Sequence, residues 1–127
     1  MKTIINSTNA PAPVGPYNQA VLAGNTLYVS GQIAIDPSTG VIVTESIEAE
    51  TEQVLKNLQS VLEEAGMTFD NIVKCSVFVT DMDMFARINV IYSRYFEGIQ
   101  APARELVQVA ALPKFVNIEI SCIAVKA

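Results

Sequence analysis

The chain has 127 residues, half of them hydrophobic and 17% charged, enough to bury a core without staples and too apolar for a disordered or solvating segment. Eight basic and thirteen acidic side chains leave a net charge of -5 with no basic cluster, which argues against nucleic-acid binding. Histidine is absent, and this excludes Ser-His-Asp and Cys-His nucleophile machinery, histidine metal clusters and a histidine proton shuttle.

Residues 2–6 read as a short edge strand, and the Pro- and Gly-rich stretch 10–17 as a loop. Residues 19–23 and 27–35 are strand-like runs joined across Gly24-Asn25, a pair suited to a tight hairpin, and Asp36-Pro37-Ser38-Thr39-Gly40 marks a further turn. From Ser46 the apolar period becomes helical: Ile47, Thr51, Val54, Leu55, Leu58, Val61, Leu62 and Ala65 form one stripe. Ser46 suits the N-cap, Glu48 and Glu50 suit the first turn of the helix dipole, and Gly66 suits the position past the end. Residues 72–80 read as a strand, after which Asp81 or Asp83 caps a second helix. In that helix Phe85, Ile88, Ile91, Tyr92 and Tyr95 form the buried stripe, and Arg87 and Arg94 share a solvated face. Residues 103–110 and 116–125 complete the strands.

The order β-β-β-α-β-α-β-β predicts an α+β two-layer sandwich, a mixed sheet of about six strands with two helices on one face, in a single domain spanning the chain. The other face is left bare, and a homo-oligomer is its simplest cover. No apolar run approaches the ~20 residues of a membrane span. The opening MKTIINSTNA lacks the apolar stretch of a secretory signal, so a cytoplasmic address is expected. Cys75 and Cys122 show no metal-ligand spacing and are expected as buried thiols.

Alternation in the last strand puts Ile118, Ile120, Cys122 and Ala124 toward the helices, and Asn117, Glu119 and Ser121 on the other face. Glu119 there is either an exposed sheet residue or part of a site covered by another subunit. In the preceding strand Arg104, Leu106 and Gln108 share a face, which we expect to be that of Glu119. Arg104 then either offers its planar fork to a carboxylate or pairs with Glu119 at a subunit contact. Tyr17 is either a loop-packing aromatic or a hydroxyl held at a fixed angle by Gly15-Pro16. Gly31, interrupting a strand, marks a bulge or a close backbone approach. Lys74 and Lys114 lack the desolvated setting of a Schiff-base lysine.

Taken together, the segments Ala12-Pro13-Val14-Gly15-Pro16-Tyr17-Asn18-Gln19-Ala20, Tyr28-Val29-Ser30-Gly31-Gln32-Ile33, Asp36-Pro37-Ser38-Thr39-Gly40, Val77-Phe78-Val79-Thr80-Asp81-Met82, Pro102-Ala103-Arg104, Val107-Gln108-Val109-Ala110-Ala111-Leu112-Pro113 and Ile118-Glu119 resemble, in order and spacing, the Rid (YjgF) family of small reactive-intermediate deaminases, in its RidA branch. The resemblance implies a chorismate-mutase-like fold, a homotrimer with sites between subunits, no cofactor, and hydrolysis of 2-imino acids such as 2-iminobutanoate and 2-iminopropanoate to 2-oxo acids and ammonia. It assigns Arg104 to the substrate carboxylate, Glu119 to the attacking water and Tyr17 to pocket closure, while Gly31, Asn89 and the backbone around Leu106 line the cleft. Glu105-Leu106 departs from the small side chains the family carries after its arginine, which bears on substrate preference. The rival reading is a trimer that binds a 2-oxo acid without turning it over. A third, RNA cleavage, is disfavoured by the net charge.

Overall fold

The helical period beginning at Ser46 forms α1, Ile47–Glu64, in the computed structural model, which describes residues 1–127. The Ser46 hydroxyl accepts a hydrogen bond from the Ala49 amide at 3.0 Å, giving one of the free first-turn amides a partner. Gly66, at φ +73, takes the left-handed position past the helix end that a side chain would strain. Every residue of the expected stripe is buried.

Around this helix the chain lays down β1 (Lys2–Ile5), β2 (Ala20–Ala23), β3 (Thr26–Gln32), β4 (Ile72–Val79), α2 (Phe85–Arg94), β5 (Ala103–Gln108) and β6 (Ile118–Val125). The sheet order is β1-β2-β3-β6-β4-β5, with only β4 and β5 parallel, so the expected α+β architecture with a mixed six-stranded sheet is present. Beyond strand ends shorter by one or two residues, three elements differ from the sequence expectation. β3 ends at Gln32 rather than at residue 35, and within it the pairing with β6 shifts register between Val29 and Gln32, the stretch that contains Gly31. Asp81 caps a separate 3-10 turn, its side chain accepting from the Asp83 amide at 2.9 Å, and α2 begins only after that turn. Between β5 and β6 the turn Pro113–Phe115 holds Lys114 and Phe115 at φ +56 each, a left-handed conformation that costs about 1–2 kcal/mol per residue outside glycine.

Both helices pack on one face of the sheet, where Leu27 and Val29 of β3, Cys75, Val77 and Val79 of β4, and Ile118, Ile120, Cys122 and Ala124 of β6 meet the stripes of α1 and α2. Asn57, buried among them, donates from Nδ2 to the carbonyls of Ile33 at 3.0 Å and Ile35 at 2.9 Å. The chain leaving β3 thus keeps its backbone satisfied at about 1 kcal/mol per bond. Cys75 and Cys122 lie opposite one another in the β4/β6 register as free thiols, and burial pushes both above their ordinary ionisation range.

The opposite face carries Tyr28, Phe78, Val107 and Ile123 among Ser76, Ser121, Glu105 and Glu119, by pairing across β3, β6, β4 and β5. Tyr28 is 52% exposed and Val107 41% exposed, so this face presents apolar side chains with nothing of the chain over them.

Candidate active site

The loop with the most backbone breakers is held by one residue. Gln19, buried at the start of β2, accepts from the Ser7 amide at 2.6 Å and donates from Nε2 to the carbonyls of Ser7, Ala10 and Pro11 at 3.1, 3.3 and 2.8 Å. The next segment is tied to β3, since the Ser30 hydroxyl donates to the Asn18 carbonyl at 2.7 Å and the Ser30 amide to the Gln19 carbonyl at 2.8 Å. Tyr17 therefore stands at a fixed place beside Ser30 and Gly31. Its own hydroxyl accepts from the Val14 amide at 3.3 Å, closing the loop on itself. No periodicity announces Gln19, because its partners are carbonyls of an irregular segment.

Tyr17, Ser30, Gly31 and Glu119 line one pocket together with Val14, Ile33 and Pro113. Gly31 leaves the space that the Glu119 carboxyl occupies: a Cβ there would lie 2.5 Å from Glu119 Oε2 and 2.6 Å from its Cδ, and would displace that side chain. The Glu119 carboxylate is half-buried and takes neither an ion-pair partner nor a hydrogen bond from the chain. Burial with no compensating charge pushes its carboxyl above the ordinary glutamate value.

A second cluster forms where α2 lies beside β5. Arg104 Nη1 donates to Asn89 Oδ1 at 2.8 Å, and its guanidinium carbon lies 4.7 Å from the Tyr92 ring centroid and 5.8 Å from that of Phe85. The rings hold the guanidinium by cation–π attraction and Asn89 takes one donor, leaving the remaining N–H groups free and the charge without a carboxylate. Phe85, expected in the buried stripe of α2, is instead 41% exposed, and its ring meets Arg104. Arg87 is exposed, as expected, and pairs with Glu48 of α1 through two bonds of 2.9 and 2.7 Å.

The expected common face of Arg104 and Glu119 is overturned by register. Arg104 pairs with Cys75, which pairs with Cys122, so Arg104 lies on the helix side of the sheet. Glu119 pairs with Phe78, which pairs with Val107, so Glu119 lies on the opposite side. Alternation fixes faces within a strand, whereas the relation between strands depends on a register the sequence does not display. Of the six residues singled out, Tyr17, Gly31 and Glu119 meet in one place, and Arg104, Asn89 and Leu106 belong to another. Leu106 shares the arginine's face through its pairing with buried Val77, and Glu105 points away. The Glu105 carboxylate is taken up by the Ser76 hydroxyl and by Lys74 at 2.9 Å, which lower its pKa from the ordinary value.

With this fold and these two clusters in view, comparisons with known proteins are informative. The family model described as Endoribonuclease L-PSP matches residues 7–126. A RutC family protein of Synechocystis is 53% identical over 96% of this chain and 95% of its own. The mouse protein named 2-iminobutanoate/2-iminopropanoate deaminase is 46% identical over 99% of this chain and 93% of its own. The crystal structure of the Rid family protein YyfA from Yersinia pestis superposes with a TM-score of 0.97 at 47% identity, covering 99% of this chain and all of that one. The chain belongs to the Rid (YjgF) family.

Proposed function

We propose that the protein hydrolyses reactive 2-imino acids, and the enamines that tautomerise to them, to 2-oxo acids and ammonia, without a cofactor and in the cytoplasm. The reading rests on one observation above the others: an unpaired guanidinium and an unpaired, half-buried carboxylate, each preorganised, on opposite faces of one chain. They act on a single small molecule when the Arg104 face of one copy meets the Glu119 face of the next. Such a contact is head-to-tail, the kind that generates a ring when its rotation closes. Three copies, the number the family resemblance implies, also cover the apolar sheet face. The family model's description names an endoribonuclease, but a net charge of -5 without a basic cluster disfavours binding to a phosphate backbone.

In this reading the free donors of Arg104 hold the substrate carboxylate and fix the imine carbon. Glu119 takes a proton from a water as that water attacks the carbon, and the C=N π electrons move to nitrogen. Starting from the protonated imine, this gives a neutral carbinolamine; the proton held by Glu119 passes to its nitrogen, and as the C–N bond breaks and ammonia leaves, the hydroxyl proton goes to Glu119 and from there to solvent, leaving the 2-oxo acid. Tyr17 closes the pocket from the Glu119 side. Because the substrate carries its own electrophile, the absence of histidine is no obstacle. The direct test generates 2-iminobutanoate with a threonine dehydratase and follows its decay; the protein accelerates the decay, and no acceleration at substantial protein concentration overturns the reading in favour of a non-catalytic carboxylate binder.

Glu119 also sets a pH dependence. A carboxylate that accepts a proton from water works ionised, so kcat/KM falls as pH drops through its raised value. The midpoint of that acid limb is expected above the ~4.3 of an exposed glutamate. The same shift has the opposite sign in stability: the contribution linked to Glu119 is present below the unfolded value and lost as pH rises through the folded one. A pH profile of kcat/KM checks this, and a limb centred at or below the ordinary glutamate range contradicts it.

A further inference from the structure

Glu50 is 1% exposed, yet no cation pairs with its carboxylate. Its oxygens are satisfied otherwise: Oε2 accepts from the Asn117 amide at 2.8 Å and Oε1 from Asn117 Nδ2 at 2.9 Å. The first turn of α1 adds the favourable end of the helix dipole. Asn117 is held from a third side, since its carbonyl accepts from the Thr80 amide at 3.1 Å and its Oδ1 from the Thr80 hydroxyl at 3.3 Å. The start of β6 is thereby clamped to α1 and to the end of β4, two residues before Glu119. A buried carboxylate is a costly way to fix a strand end unless the position of that end matters. Here it does, because Glu119 lies where a single added carbon at Gly31 would not fit.

We infer that Glu50 is a positioning residue, acting through Asn117 as a hydrogen-bond acceptor to fix the height and aim of Glu119 over Gly31. The inference rests on the reading of Glu119 as the group that activates water, so its test includes a measurement that needs no turnover. Glu50→Gln keeps an acceptor oxygen for the Asn117 amide, and a flip of the Asn117 carboxamide accommodates the new N–H groups. Glu50→Ala removes the acceptor. Val61→Ala, which truncates a fully buried side chain of the same helix away from Asn117, controls for loosening of the fold.

The Glu119 carboxyl is followed by carbon NMR as pH is varied. The midpoint is expected to be the same in the native protein, Glu50→Gln and Val61→Ala, and to fall toward the ordinary glutamate value in Glu50→Ala as the carboxylate gains water. In turnover, Glu50→Ala is expected to lose roughly 10–100-fold in kcat with KM within about twofold, because the arginine side of the cleft is untouched. Glu50→Gln restores kcat to within about threefold. An unchanged Glu119 midpoint in Glu50→Ala, or an equal change in Val61→Ala or Glu50→Gln, overturns the inference. Absence of turnover in the native protein overturns the deaminase reading alone, and the titration still decides the clamp.

Discussion

Replacing Arg104 with alanine is expected to lower kcat/KM for 2-iminobutanoate by roughly three orders of magnitude, about 4 kcal/mol of transition-state stabilisation, the scale expected when a bidentate, charge-assisted carboxylate contact is lost. The geometry gives reasons for an effect this large. The guanidinium is held against the Tyr92 and Phe85 rings and by the 2.8 Å bond to Asn89, which fix its orientation before substrate arrives. Arg104→Lys keeps the charge but not the fork, and is expected to recover only about a tenth of the loss on a logarithmic scale, because a point charge does not fix the plane of the carboxylate. The fold should persist in both variants, since Arg104 is partly exposed and neutralises no buried anion. Steady-state kinetics with the coupled dehydratase, alongside a melting curve, checks both statements; full activity in the alanine variant removes the arginine from the mechanism.

Gly31→Ala is the second large effect, and it separates space from backbone freedom. Gly31 is not among the glycines with positive φ, so alanine meets no conformational penalty there. What it meets is the Glu119 carboxyl group, at 2.5 and 2.6 Å, far inside contact distance. The movable partner is the side chain, so Glu119 is expelled from its place while the sheet holds. Turnover is expected to fall about 100-fold or more at a stability cost of about 1–3 kcal/mol. Adding Glu119→Gln to Gly31→Ala should cost little further activity, because both changes remove the same group. Additive losses in the double variant would mean that Gly31 acts on substrate independently of Glu119.

Much of this molecule was readable before its structure, and the parts that were not share a cause. The α1 helix was legible in full, cap to terminal glycine, because its signals are local: a 3.6-residue period, a serine before it and a glycine after it. The strands and their order were legible for the same reason, although β3 ends at Gln32 rather than at residue 35. Glu119 and Arg104 were legible as residues, through their isolation in apolar strands and the family resemblance, but not as a geometry. Their faces depend on how β5 and β6 each align with β4, a relation between segments far apart in sequence. Phe85 misled because the helical period marks an apolar stripe without saying which of its residues the core reaches. Glu50 fitted a helix-dipole role so well that sequence alone offered no reason to seek a second partner, and Asn117 was assigned by alternation to the face away from it. Gln19, with its partners in an irregular loop, had no periodic signal at all.

The division of the six residues between opposite faces is the centre of the account, and subunit mixing tests it most directly. Arg104→Ala and Glu119→Gln are each expected to be inactive as homogeneous assemblies. Unfolded together in equal amounts and refolded, they form mixed rings in which about one cleft in four receives Arg104 from one copy and Glu119 from its neighbour, so about a quarter of native activity returns. If the mixed preparation stays as inactive as its components, although exchange of subunits is confirmed by mass, the two groups do not work in a shared cleft and the proposed site is wrong.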